Sequence, residues 1–145
     1  MNPTPAGWPR ISSGVYYADA LTMLDWLCLA FGFTEQVKVV EEGRLVHSQL
    51  IYGDGLIMVG EELAGDARRF DTDRRSPLHA RCNTQNLMVY VDDVDAHCAR
   101  ARAAGARIVS EPALHDYGED HWADRAYGAI DPEGHLWWFV QRVRG

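Results

Sequence analysis

Val15-Tyr-Tyr-Ala-Asp-Ala-Leu-Thr-Met-Leu-Asp-Trp-Leu-Cys-Leu-Ala-Phe-Gly-Phe33 decides the fold once it is set beside Met88-Val-Tyr-Val-Asp-Asp-Val-Asp-Ala-His-Cys-Ala-Arg-Ala-Arg-Ala-Ala-Gly-Ala106. Asp19 falls on Asp92 and Gly32 on Gly105, a shift of 73 positions in a chain of 145 residues. A repeat at half the chain length means one structural unit written twice. In each copy a β-rich run (Ile11 to Tyr17; Asn86 to Val91) ends in an aspartate suited to capping a helix N-terminus. The helix that follows carries apolar residues at Leu21, Leu24, Cys28 and Phe31 in copy one, and at Val94, Cys98, Ala101 and Ala104 in copy two. Those spacings of three and four put the side chains on one face. Gly32 and Gly105 then supply the left-handed position that ends a helix.

Working outward, each copy continues in extended segments. Copy one gives Gln36 to Val40, Leu45 to Tyr52 and Leu56 to Gly60, with turns at Glu42-Gly43 and Asp54-Gly55, both strong hairpin signals. Copy two gives Arg107 to Ser110, Trp122 to Ile130 and His135 to Val143, with a turn at Asp131-Pro132-Glu133-Gly134. The shift grows to 79 by that turn, so copy two holds about six extra residues, expected between Tyr117 and Ala123. Each copy reads βαβββ. The expected organisation is an α+β fold of two tandem modules, 9–62 and 84–145, joined by a polar, exposed linker over 63–83.

Composition bounds the function. The formal net charge of −7 disfavours nonspecific binding to nucleic acid or to an anionic membrane, and favours cationic or neutral small molecules. The most apolar stretch, Ala20 to Phe33, is interrupted by Asp25 and is too short to span a bilayer. The N-terminus lacks the basic start and apolar core of a signal peptide, so a cytoplasmic location is expected. Three cysteines, Cys28, Cys82 and Cys98, are odd in number and form no CxxC pattern, which argues against a disulfide framework or a structural zinc.

Several pieces together resemble the vicinal oxygen chelate superfamily, which includes glyoxalase I, extradiol dioxygenases and bleomycin-resistance proteins. They are Val91-Asp92-Asp93-Val94-Asp95-Ala96 running to Ala103-Ala104-Gly105-Ala106; Asp124-Arg125-Ala126-Tyr127 followed by Asp131-Pro132-Glu133-Gly134-His135-Leu136-Trp137; and Phe31-Gly32-Phe33 after the first helix. The resemblance implies curved mixed sheets around a cavity, helices on the convex faces, and a homodimer. It also implies, in the metal-using members, His and Glu ligands on the first and last strands of the modules. Those four positions fall here on Ser12, Asn86, Trp138 and a residue near Met58. A hydroxyl, an amide, an indole and a thioether make a poor set for Mg²⁺, Mn²⁺ or Fe²⁺. A shift of one residue brings no better donors and turns the side chains to the other face. No metal and no cofactor are therefore expected.

Strand alternation then gives a pocket lining. Trp138 brings Leu136 and Val140 with it and turns Trp137 and Phe139 towards the helices; Asn86 brings Met88 and Tyr90; Ser12 brings Gly14 and Tyr16. His47 and Gln49 share a face. In the Trp122 to Ile130 run, either Trp122, Asp124 and Ala126 or Ala123, Arg125 and Tyr127 face inward. The candidate ligand-binding residues are thus Trp138, Asn86, Tyr90, Met88, Tyr16, Ser12, His47, Trp122 and Tyr127. Such a lining suits flat organic ligands, aromatic or cationic. His97 and His79 are expected in solvent, His135 in a structural role, and His115 to His121 in an exposed acidic loop. The functional expectation is a small-molecule binding protein of the bleomycin-resistance, antibiotic-resistance type that works without metal. The alternative is a glyoxalase-like lyase or isomerase, or a dioxygenase-related enzyme, with relocated ligands or acid/base residues. No GxSxG motif and no recognisable cysteine nucleophile favour the enzyme.

Overall fold

The computed structural model describes all 145 residues. It divides into two compact units, Met1–His79 and Ala80–Gly145. In the first, β1 (Ser13–Tyr17) leads into α1 (Ala20–Phe31), then β2 (Thr34–Glu41), β3 (Arg44–Tyr52) and β4 (Gly55–Glu61). These form one four-stranded sheet in the order β1-β4-β3-β2, with β1 and β4 parallel and the other neighbours antiparallel. After the short α2 (Pro77–Ala80), the second unit repeats the plan with β5 (Leu87–Tyr90), α3 (Val94–Ala103), β6 (Arg107–Asp116), β7 (Ala123–Ile130) and β8 (Leu136–Arg144), ordered β5-β8-β7-β6. The α+β reading of two βαβββ modules therefore holds. No helix is long and apolar enough to cross a membrane.

Helix α1 starts where Asp19 accepts hydrogen bonds from the Thr22 amide (3.2 Å) and the Thr22 hydroxyl (2.8 Å). It stops at Gly32, whose φ of 83° is left-handed. Its buried stripe is Ala20, Met23, Leu24, Leu27, Ala30 and Phe31. Leu21 and Cys28, expected on that face, lie at its margin. The helix is apolar almost all round, so periodicity alone locates the stripe poorly. The stripe packs on Val15 and Tyr17 of β1, Leu50 of β3 and Val59 of β4, all buried.

Helix α3 is capped by Asp93, which accepts from the Ala96 amide at 3.0 Å, and not by Asp92. The two modules therefore align with a shift of 74, which superposes Ser12 on Asn86 and Tyr16 on Tyr90. His97 lies one helical turn from Val94 and from Ala101 and is buried with them and Cys98. Expected in solvent, His97 is 8% exposed. Its Nδ1 shares a 2.6 Å hydrogen bond with the Tyr127 hydroxyl, and its ring sits 4.2 Å from that of Phe139.

The hairpins show how turn chemistry sets register. Glu42 and Gly43 both have positive φ (49° and 75°), as a tight two-residue turn requires. The next turn is Gly53-Asp54 rather than Asp54-Gly55, because Tyr52 pairs with Gly55 and the left-handed residue is Gly53 (φ 57°). Strand β6 runs past the expected Ser110 to Asp116, through two register shifts against β7. The loop 117–122 closes with the Tyr117 amide bonded to the Trp122 carbonyl (3.0 Å). Arg144 fastens that loop, donating to both Asp116 oxygens and to the Gly118 carbonyl.

The turn before β8 is organised by one buried carboxylate. Asp131 Oδ1 accepts from the amides of Glu133, Gly134 and His135, each at 3.0 Å, while Oδ2 accepts from the Trp137 indole at 3.0 Å. The stretch 63–83, expected as a polar, exposed linker, is largely exposed and carries its own bridge and side-chain ties. Leu63 and Arg74 exchange two backbone hydrogen bonds of 2.8 Å, and Glu62 accepts from the Ser76 amide (2.9 Å) while pairing with His79.

Two outcomes follow. Asp131→Ala strands four donors, two of them buried, and is expected to cost about 3 kcal/mol or more in urea denaturation; Asp66→Ala in the exposed segment is expected to change stability by less than about 0.5 kcal/mol. Asp116 has its carboxyl held at about 2 by Arg144 and then by the Gly118 amide. A lowered folded pKa stabilises above the ordinary carboxylate value, and that contribution is lost as pH falls through about 2. Carboxyl NMR should give a midpoint near that value, rising towards the ordinary range in Arg144→Gln, where the Gly118 amide bond remains.

Candidate functional site

The face of each sheet turned away from its helix carries most of the candidate residues. In the second module, β5 pairs with β8 so that Met88 lies beside Trp138 and Tyr90 beside Val140, while Leu87 and Val89 accompany the buried Trp137 and Phe139. Strand β7 adds Gly128 opposite Trp138, Ala126 opposite Val140 and Asp124 opposite Arg142. Gly128 is the reason the Trp138 ring lies flat. A Cβ there would stand 3.1 Å from both Cη2 and Cζ3 and 3.3 Å from Cε3, so the six-membered ring covers the bare glycine backbone. Tyr90, Met88 and Trp122 are 48%, 58% and 43% exposed. Asn86, just before β5, is exposed as well.

Arg142 organises the polar part of this face. Its Nε donates to Asp124 at 2.6 Å and its Nη2 to the Tyr90 hydroxyl at 2.8 Å. The guanidinium carbon stands 5.3 Å from the Trp122 ring centre and 5.7 Å from that of Tyr90. The bond to Asp124, ahead of every other influence, holds Arg142 more firmly protonated than usual. Trp122 is in turn flanked by Tyr117, with ring centres 5.5 Å apart. Of the two alternatives for the β7 run, it is Asp124 and Ala126 that share the Trp138 face. Tyr127 points the other way. It is fully buried, stacked on Phe139 at 5.2 Å and bonded to His97, so it belongs to the core beneath α3.

In the first module, β1 places Gly14 beside Met58 and Tyr16 beside Gly60. The Tyr16 ring lies over both glycines: a Cβ on Gly14 would meet its hydroxyl oxygen at 2.9 Å, and one on Gly60 its Cε1 at 3.5 Å. Arg74, from the stretch 63–83, stacks on this ring at 4.8 Å and donates from Nη1 to the Tyr16 hydroxyl at 3.1 Å. Tyr16, Gly60, Glu61, Leu63, Arg69 and Arg74 are among the residues around a groove of about 860 Å³. His47 and Gln49 share the same sheet face and contact each other at 3.0 Å through their side-chain nitrogens. Neither they nor Ser12 line the groove.

The register makes Ser12 and Asn86 equivalent, and likewise Met58 and Trp138, since Gly14 pairs with Met58 as Met88 pairs with Trp138. The first- and last-strand positions thus hold a hydroxyl, an amide, a thioether and an indole, a donor set that does not fit a divalent ion. Nowhere do three His, Cys, Asp or Glu side chains gather as a metal requires.

Sequence reasoning missed Arg142, Asp124 as its partner, and Arg74. The alternation 136, 138, 140 extends to 142, so Arg142 was readable. Arg74 left no signal, because it reaches its tyrosine from outside the repeat.

Among solved structures, TioX from Micromonospora sp. ML1 is 28% identical, over 93% of this chain and 99% of that one, with a TM-score of 0.70. TnmS3, an antibiotic binding protein from Streptomyces sp. CB03234, is 20% identical, over 90% and 93%, at 0.63. The virulence protein STM3117 from Salmonella typhimurium is 18% identical, over 93% and 98%, at 0.64. No curated protein matches. The sequence profile of the Glyoxalase/Bleomycin resistance protein/Dioxygenase superfamily matches residues 11–139. With the duplicated βαβββ plan and this match over most of its length, the chain belongs to that superfamily.

Proposed function

We propose that this protein binds a flat organic small molecule, without metal, in the manner of the bleomycin-resistance type. The observation that carries the reading is the Trp138 ring laid flat on Gly128 beside Met88, with Tyr90 and Trp122 exposed next to it. Rings held flat on a sheet offer a large rigid contact area at little entropic cost. The donor chemistry at the first- and last-strand positions supports a metal-free role. The fold shared with an antibiotic binding protein supports a natural product or drug as ligand, and so an antibiotic-resistance role. We expect it to act as a homodimer, as the superfamily resemblance implies, and place it in the cytoplasm on the character of its N-terminal sequence.

One observation favours the enzymatic alternative. Glu62 holds the Ser76 amide with one oxygen and His79 Nδ1 with the other, an orientation that suits an imidazole to general-base work. Glu62 adjoins Glu61, which lines the first-module groove.

Titration of tryptophan fluorescence with planar aromatic natural products, followed by mass spectrometry, separates these readings. Binding without product supports the first, and turnover lost in His79→Gln supports the second. Stoichiometric bound transition metal in the purified protein would overturn the metal-free reading. Trp138→Ala is expected to weaken the ligand about tenfold or more, on the order of 1.4 kcal/mol, with an unchanged circular dichroism spectrum. Unchanged affinity would remove Trp138 from the site.

A further inference from the structure

The two modules present the same pair built in two ways. Tyr16 and Tyr90 occupy equivalent positions on β1 and β5, and each has a guanidinium over its ring that donates to its hydroxyl. Arg74 comes from the segment after module one, and Arg142 from the last strand of module two. The repeat did not copy this arrangement, since the two arginines come from non-equivalent places. The two pairs also differ in their anchoring. Arg74 has a buried Nε with no hydrogen-bond partner. Arg142 Nε is bonded to Asp124, whose side chain is 12% exposed against 37% for Arg142.

Asp124 and Tyr90 fix the plane of the Arg142 guanidinium from one side and use two of its five N–H groups. No protein hydrogen bond engages Nη1, and the guanidinium carbon stands near both the Trp122 and Tyr90 rings, on the strand that carries Trp138. An oriented fork of donors beside aromatic rings suits an oxygen acceptor attached to a planar ring. The overall negative charge attracts cations at long range, but salt screens that field beyond about 8–10 Å. At contact distance a ligand cation would meet Arg142.

Resting on the binding reading above, we infer that Arg142 determines specificity: the ligand is a planar aromatic compound bearing a carboxylate or phenolate oxygen, its ring against the Trp138 face and its oxygen on the Nη1 edge. The test is calorimetric titration of the intact protein with three probes of one ring system: 2-naphthoate, 2-methylnaphthalene and 2-naphthylmethylammonium. Wild type is expected to bind 2-naphthoate about tenfold tighter than 2-methylnaphthalene, with the ammonium weakest. Arg142→Gln should erase the naphthoate preference and leave 2-methylnaphthalene within twofold. Because Arg142→Gln leaves Asp124 without its partner, the double variant Asp124→Asn/Arg142→Gln provides the same readout in a neutral pair. If 2-methylnaphthalene binds but naphthoate is no tighter, or the preference survives in both variants, the inference fails while the binding reading stands. If none of the three probes binds, both fail.

Discussion

The four hydrogen bonds accepted by Asp131 fix everything that the second module displays. The carboxylate closes the turn with three backbone amides and pins the Trp137 indole with its other oxygen. This settles which residues of β8 face the helix. Side chains alternate strictly along a strand, so a displacement of one residue would exchange the two sets. With Trp137 and Phe139 committed to the core, Trp138, Val140 and Arg142 must emerge on the opposite face. The parallel pairing with β5 carries the same parity to Met88 and Tyr90. A polar interaction in a turn thus sets which aromatic surface the protein shows.

The duplicated plan explains both what the modules share and where they part. Both use an aspartate cap, a helix on one face, a parallel pairing of the first strand with the last, and an aromatic ring resting on glycine. In the first module the ring belongs to the first strand and covers Gly14 and Gly60; in the second it belongs to the last strand and covers Gly128. The faces therefore have similar character with different residues supplying it. The segment 63–80 adds to this asymmetry, since it covers the first-module tyrosine and has no counterpart in the second.

Most of the architecture was legible in the sequence because it rests on short-range signals. Asp19, Gly32 and the Glu42-Gly43 hairpin each act within a few residues, and the strands declare themselves by alternation. Errors arose where two neighbouring residues could play one part. Asp92 and Asp93 both suit a cap, and only the Ala96 amide bond to Asp93 selects between them. Gly53 and Gly55 flank one aspartate, and only the Tyr52–Gly55 pairing selects between the two turns. Tyr127 could not be assigned a face until the partner of Phe139 was known. The tie from Arg74 to Tyr16 was invisible because a bond between distant residues leaves no periodic trace.

The glycine beneath Trp138 bears on how readily such a face could change its chemistry. A side chain at 128 and an indole at 138 crowd one volume, so a change at either position is felt at the other. A shorter acidic residue at 138 would uncover bare backbone at 128, and even a methyl group at 128 would press the indole away by a few tenths of an ångström. Conversion of this sheet to ion chelation thus requires coordinated replacements, with the intermediate sequences lacking both the stacked ring and a complete donor set.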